Sequence, residues 1–337
     1  MARRFFVAPL VSALALLVPL PPAAAQVRIT IGHAAISPRI IPLVIAQEQG
    51  LFAKNGIESR MVLIRGAPTL VASLISGDID LGYTGGPAVL GAAAQGIQLK
   101  ILASLSSRLT HTLIASPNIK KAEELRGKRF GIQSIGGSTW MHTMLGLEYL
   151  GLDPKRDNLT ILVIEDSVLI GQALEAGRID AAVLDGVLVR RLKGKGFSAI
   201  AELGPANIPM LNQGIVVTRN TLQKRSEVAE KVLAALVESI AFSLAPGQKP
   251  VVVRTMMGRF QITDPGVAEE GYQDYLTSVE RKPYPSLEAM RNIQRLMAMH
   301  NPKVAAVRVE DLIDVRFIRK LDESGVIEKF GSAYGLK

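Results

Sequence analysis

Cysteine is absent from all 337 residues. No disulfide can staple the fold, no thiolate can serve as a nucleophile or zinc ligand, and no lipid can be attached to a cysteine behind a cleaved leader. Aromatic residues make up only 5% of the chain, and Lys and Arg never gather into a block of five. The stacking platforms and basic tracts of a nucleic-acid surface are therefore missing. The four histidines, His33, His111, His142 and His300, are scattered, with no two at metal-ligand spacing. Neither a Gly-x-Ser-x-Gly elbow nor a phosphate-binding loop occurs. The expectation is a protein without catalysis, metal or cofactor.

A membrane-spanning run is also lacking. Residues 5–20 are apolar but interrupted by Pro9 and Pro19, and they fall short of the ~20 apolar residues a span requires. Arg3 and Arg4 precede this run and Ala23, Ala24 and Ala25 follow it, which are the three parts of a secretory signal. Residues 1–25 are thus expected to be a signal peptide cleaved after Ala25, and the mature protein to be free in the periplasm of a two-membrane bacterium. Arg3-Arg4 with Phe6 and Val7 behind them loosely resembles a twin-arginine signal, so both export routes stay open. The net charge of +9, two units of it in Arg3 and Arg4, favours anionic partners.

About 312 residues remain after cleavage, more than one ordinary core accommodates, which points to two domains. Apolar runs bounded by glycine alternate with helical patterns, the signature of an α/β fold with a mainly parallel sheet. Residues 28–31, 57–64, 130–133 and 159–164 read as strands; residues 40–49 and 138–150 read as helices stopped at Gly50 and Gly151. An ungapped echo recurs at an offset of 100 residues. Leu74, Gly77, Ile79, Asp80, Gly86, Val89 and Gly96 return as Leu174, Gly177, Ile179, Asp180, Gly186, Val189 and Gly196. Two lobes of like fold follow, and the repeated Asp80 and Asp180 read as turn-forming carboxylates. Residues 215–218 form one more strand. Helices are then expected at 221–244, after an Asp264-Pro265 start, after Ser286, and at 309–322. This helical tail returns to the first lobe, giving lobe 1 as residues 26–112 and 219–337 and lobe 2 as residues 113–218, hinge strands included.

At this point the residues resemble a known family. Residues 41–57, with Gln47-Glu48-Gln49-Gly50-Leu51-Phe52 at their centre, and the Gly77-Asp78-Ile79-Asp80 turn are similar to periplasmic solute-binding proteins of the nitrate, sulfonate and taurine type, the NMT1/THI5-like group. Ala122-Glu123-Glu124-Leu125-Arg126-Gly127-Lys128 and Glu310-Asp311-Leu312-Ile313-Asp314 extend the resemblance over nearly all of the mature chain. It implies a type II periplasmic-binding-protein fold: two α/β lobes joined by two crossing strands, near residues 112–116 and 214–218, with a ligand cleft between them. It also implies a monomer that delivers a small-molecule ligand to the membrane permease and ATPase of an ABC importer. Two other readings share the scaffold. One is a periplasmic enzyme related to the pyrimidine synthases, which depend on a cysteine-rich motif missing here; the other is a periplasmic sensory protein.

Ligands of open α/β sheets sit beyond the carboxyl ends of strands, where loops and helix N-termini converge. In lobe 1 that rule selects Ser37 and Arg39, then Arg65, Gly66 and Ala67, then Thr84, Gly85 and Gly86, and Ser106. In lobe 2 it selects Gly136, Gly137, Ser138, Thr139 and Trp140, with Asp166 and Asp185 at the positions equivalent to the Arg65 and Gly85 loops. Arg39, Arg65 and Arg108 compete as partners for a sulfonate or carboxylate. Ser138 reads equally well as a helix cap, and Trp140 as a stacking face or a core residue. The carboxylates of Asp166 and Asp185, with Glu165 beside them, disfavour a small inorganic anion on that side and suit a ligand bearing an amine, hydroxyl or amide.

Overall fold

The computed structural model describes residues 26–34, 38–164 and 166–336, with the side chain of Val187 excepted. The signal-peptide reading of residues 1–25, and the candidates Ser37 and Glu165, lie outside the described residues. Alternation of strand and helix begins at once, with β1 (Val27–His33), α1 (Ile41–Glu48), α2 (Leu51–Lys54), β2 (Ile57–Leu63), α3 (Ala67–Ser76), β3 (Leu81–Thr84), α4 (Gly86–Ala93) and β4 (Leu99–Arg108). A second series follows: β5 (Thr112–Ala115), β6 (Arg129–Ile132), α5 (Ser138–Tyr149), β7 (Thr160–Val163), α6 (Ser167–Glu175), β8 (Ala181–Leu184), α7 (Gly186–Gly194), β9 (Ser198–Glu202) and β10 (Pro209–Thr218). The remainder is helical: α8 (Arg219–Lys224), α9 (Ser226–Leu244), α10 (Lys249–Phe260), α11 (Pro265–Ser278), α12 (Leu287–Ala298), α13 (Arg316–Glu323) and α14 (Val326–Ala333).

Among the described residues the strands form two five-stranded sheets, ordered β2-β1-β3-β10-β4 and β7-β6-β8-β5-β9. The two orders are the same pattern: three parallel strands, then one antiparallel to its neighbours, then an edge strand. The 100-residue echo has its cause here, since α3, β3 and the start of α4 stand 100 residues before α6, β8 and the start of α7. Even the packing repeats. A side chain on Gly32 would strike Ile79, and one on Gly131 would strike Ile179. Asp80 accepts the Thr30 N–H at 2.8 Å and Asp180 accepts the Arg129 N–H at 2.9 Å. Each carboxylate therefore ties the first strand of its lobe to the turn before the third. Asp180 also holds the Arg129 guanidinium through both oxygens. Asp180→Ala is expected to lower stability by about 1–2 kcal/mol, read as a lower urea midpoint; an unmoved midpoint would remove this structural role.

Three sequence expectations are corrected. Residues 214–218 are not a crossing: β10 pairs with β3 and β4 inside the first sheet, its ladder running from Pro209 opposite Arg108 to Thr218 opposite Leu99. Ile215, Val216 and Val217 are buried there, which binds residues 209–218 to the first sheet and not to the second lobe. The chain passes between sheets at residues 109–111 and 203–208. These passages lie side by side, with Leu109 N–H donating to Ile208 O at 3.0 Å and Leu203 N–H to His111 O at 2.9 Å. The helix expected over 221–244 breaks at Arg225, whose φ of −138° leaves helical geometry as its guanidinium turns to Asp80 and to Arg28 O. The helix expected over 309–322 is interrupted because Ile313 bridges Ile101 on β4 and Asp314 N–H donates to Ile101 O at 2.9 Å.

Apolar side chains of α3, α4, α5 and α12 form one buried cluster that runs from the first lobe into the second, Met290, Ile293 and Met297 included along with Phe130 and Trp140. The other face of the first sheet is covered by α1, α2 and the long α9. The carboxyl ends of both sets of parallel strands thus face each other across the double passage.

Candidate functional site

Five of the helices that follow those strands, α3 to α7, divide by their caps into two kinds. Among the described residues, the N-caps of α3, α4 and α5 are Gly66, Gly85 and Gly137, and none carries a side-chain cap bond. Each therefore presents the positive end of its helix dipole without a side-chain cap. By contrast α6 is closed by Asp166, which accepts from the N–H groups of Val168 and Leu169. The N-terminus of α7 is met from across the cleft, where Asp274 on α11 accepts the Gly186 N–H. Ser138 is not the cap: Gly137 holds that place and Ser138 is the first helical residue. The loop before it is closed by Gln133 N–H donating to Thr139 Oγ1 at 2.8 Å and by Gly136 at φ +74°, a conformation that favours glycine.

The starts of α4 and α5 touch although they belong to different lobes. A Cβ on Gly85 would lie 2.7 Å from Asn212 O and 2.9 Å from Ser138 Oγ. Only glycine permits that approach. Beside it lies a buried polar cluster assembled from separate segments. Arg39, only 8% exposed, donates from Nη2 to Thr110 Oγ1 at 3.0 Å and stands 4.0 Å from Asp185. Tyr83 OH donates to Arg39 O at 2.5 Å, fixing the backbone that carries it. His111 and His142 stack with ring centroids 3.7 Å apart, and His142 Nε2 is 2.7 Å from Asn212 Oδ1. Burial first, and then the Arg39 charge, holds His111 well below the usual imidazole range. Burial likewise pushes His142 down to about 3, against the hydrogen bond to Asn212 that favours its charged form. Both rings are neutral at physiological pH, so Arg39 is the cation of this cluster.

Among the described residues, Arg39 Nε, Ser106 Oγ, His111 Nδ1, His142 Nδ1 and Asn212 Nδ2 are buried without a hydrogen-bond partner. Native proteins leave few such groups, and each costs about 1–3 kcal/mol. Four of the five, on Arg39, His111, His142 and Asn212, lie in the one cluster.

The sequence candidates divide accordingly. Arg39, Gly85, Gly86, Thr84, Ser138 and Asp185 converge at or beside the cluster, whereas Ser106 stands on β4 opposite Gln213 and bridges Val279. Arg65 and Gly66 are exposed, and Ala67 half-buried, on the far side of β1 from β3; Arg108 is half-exposed and 3.5 Å from Glu280. Trp140 is a core residue, buried with its edge toward His300 at 5.0 Å. Asp166 is engaged as a cap. Sequence reading missed His111, His142, Asn212 and Asp274. No spacing could have found the histidines, which stand 31 positions apart and meet only through the fold. Among the described residues no group of three or more His, Asp or Glu is placed to hold a metal ion, and no helix is long and apolar enough to cross a membrane.

The two lobes are further joined where α11 packs on α7. Arg190 pairs with Glu270, and the space a Gly186 Cβ would need is filled by the Asp274 carboxylate. Burial raises the Asp274 carboxyl, with Asp185 adding to the rise and Arg39 opposing it. Gly186→Ala is expected to part α7 from α11, costing about 1–3 kcal/mol and enlarging the radius of gyration in small-angle scattering. Unchanged scattering would mean that the contact does not hold the lobes together.

A family model described as NMT1/THI5 like matches residues 37–249. A putative binding protein of Brucella abortus (strain 2308) is 31% identical over 149 residues, 44% of this chain and 45% of that protein; the chain spans less than half the length of this curated relative. The taurine-binding periplasmic protein of Escherichia coli (strain K12) is 26% identical over 216 residues, 63% of each chain. Among solved structures, a protein from Bordetella bronchiseptica superposes with a TM-score of 0.75 at 16% identity, covering 89% of this chain and 98% of that one. The alkanesulfonate-binding protein from Xanthomonas axonopodis pv. citri, bound to MOPS, gives 0.69 at 20% identity, covering 87% and 100%. These likenesses show the fold, the type II periplasmic-binding-protein fold.

Proposed function

Because the chain belongs to the NMT1/THI5-like family, we propose that it is a periplasmic solute-binding protein that captures a small organic anion, sulfonate- or carboxylate-like, between its lobes. It then delivers that solute intact to the permease and ATPase of an ABC importer, and it is not an enzyme. The observation that carries this reading is the pairing of uncapped, glycine-started helices α4 and α5 with the buried Arg39 guanidinium at the passage between lobes. Helix N-termini and a guanidinium are the groups that hold a sulfonate or carboxylate. The relatives agree in kind: one is named for taurine and another for alkanesulfonates. Two sheets joined by a double passage suit capture by hinge motion.

A thermal-shift screen of sulfonates, carboxylates and nitrate tests it. A true solute at 100 times its Kd should add about 2.7 kcal/mol of stability and be recovered chemically unchanged. A panel without any stabilising compound, or a solute returned as a different molecule, would overturn the proposal.

A further inference from the structure

We infer that the solute head read at the hinge carries an anionic acceptor oxygen beside its own neutral O–H or N–H donor, as in a hydroxy acid, and that Arg39, His142 and Asn212 read it. This inference rests on the receptor reading above and narrows it.

The three side chains are each more than nine-tenths buried, and each keeps one polar atom without a partner among the described residues. They come from the turn before α1, from α5 and from β10, and they meet through the His142–Asn212 hydrogen bond and the Arg39 charge that acts on His142. Arg39 Nε and Asn212 Nδ2 can only donate. These suit an oxygen acceptor. His142 differs. Its Nε2 lies 2.7 Å from Asn212 Oδ1, an acceptor, so the ring proton sits on Nε2. A neutral imidazole has one such proton, and Nδ1 therefore presents a lone pair. Burial that keeps the ring neutral maintains this state. A lone pair facing a bare oxyanion is repelled by it and stays unpaired; only a donor on the solute satisfies it. The same cluster thus asks for an acceptor and a donor on one small head group. A site built to pair a donor discriminates strongly against analogues lacking it, because its own buried group is then stranded.

Calorimetric titration of the full mature chain at pH 7.5 with matched probes tests this. Propionate and propane-1-sulfonate lack the donor; 2-hydroxypropionate and 2-hydroxypropane-1-sulfonate carry it at the same charge. Donor-bearing probes are expected to bind at least about tenfold tighter than their bare counterparts. In the His142→Phe/Asn212→Leu double variant that preference should disappear. Its unfolding midpoint should be unchanged or higher, since replacing both members of a buried polar pair with apolar groups of similar shape is neutral to stabilising. Equal or tighter binding of the bare set, or a double variant that keeps the preference, overturns the inference and leaves the receptor reading intact. If neither set binds, the receptor reading falls and this inference with it.

Discussion

Arg39→Met is expected to cut solute affinity by about 100-fold, the scale on which truncating a buried charge partner acts. The guanidinium is the cation of the hinge cluster. It is buried, 4.0 Å from the Asp185 carboxylate, and its Nε has no partner among the described residues. A buried charge so loosely compensated is costly to keep, and a bound anion would offset that cost. Methionine preserves the stem and removes the charge. Thr110 loses its donor and Asp185 its counter-charge, so a fall in stability of about 1–3 kcal/mol should accompany the loss. Arg65→Ala is expected to weaken binding less, because Arg65 is exposed and an exposed charge acts through screening solvent. Wild-type affinity in Arg39→Met, measured by titration on protein whose circular dichroism is unaltered, would strike Arg39 from the site.

Acid should destabilise the protein before its carboxylates are protonated. His111 and His142 are held neutral when folded, His142 at about 3 and His111 well below the ordinary range, whereas unfolded imidazoles take up protons near 6.5. Above that pH neither state binds these protons and the stability is intact. As pH falls below 6.5 only the unfolded chain is protonated, so stability drops by up to about 1.4 kcal/mol per pH unit for each histidine. By pH 5 the loss is about 2 kcal/mol for His142, with His111 adding to it in the same direction, against the 5–15 kcal/mol typical of a domain. The charges near the pair do not reverse this: Arg39 deepens it, and Asp274, raised by burial, acts with the opposite sign only near carboxylate pH. Asp157, lowered to about 2 mainly by Arg156, contributes loss only below the ordinary carboxyl range. Urea midpoints at pH 7.5, 6 and 5 provide the measurement, and His142→Gln should lessen the decline. A flat wild-type profile over that range would mean that the rings are not buried neutral.

Much of the architecture was legible because its causes are local. Gly50 and Gly151 end helices where the pattern placed the ends. Asp264 and Ser286 cap α11 and α12 through N–H groups two and three residues on. The 100-residue echo reflected two sheets of one topology. Where reading failed, a distant partner intervened. Arg225 breaks a helical pattern to reach Asp80, Ile313 leaves one to pair with β4, and β10 joins the first sheet because its apolar residues are buried there. Ser138 looked like a cap, yet glycine took the cap position and left the helix start open toward Gly85.

The candidate site divides along the same line. By itself the chain determined its alternation of strand and helix, its doubled α/β lobes and the loops that follow the strands, since periodicity, capping and turn chemistry act over a few residues. Which arginine is buried, that His111 and His142 stack, that Asn212 lies against Gly85, and that Asp274 closes the start of α7 were decided only by the tertiary structure. Those contacts join segments far apart in the chain. The neutrality of the histidines comes from desolvation, which belongs to the packed surroundings and not to any short stretch of sequence.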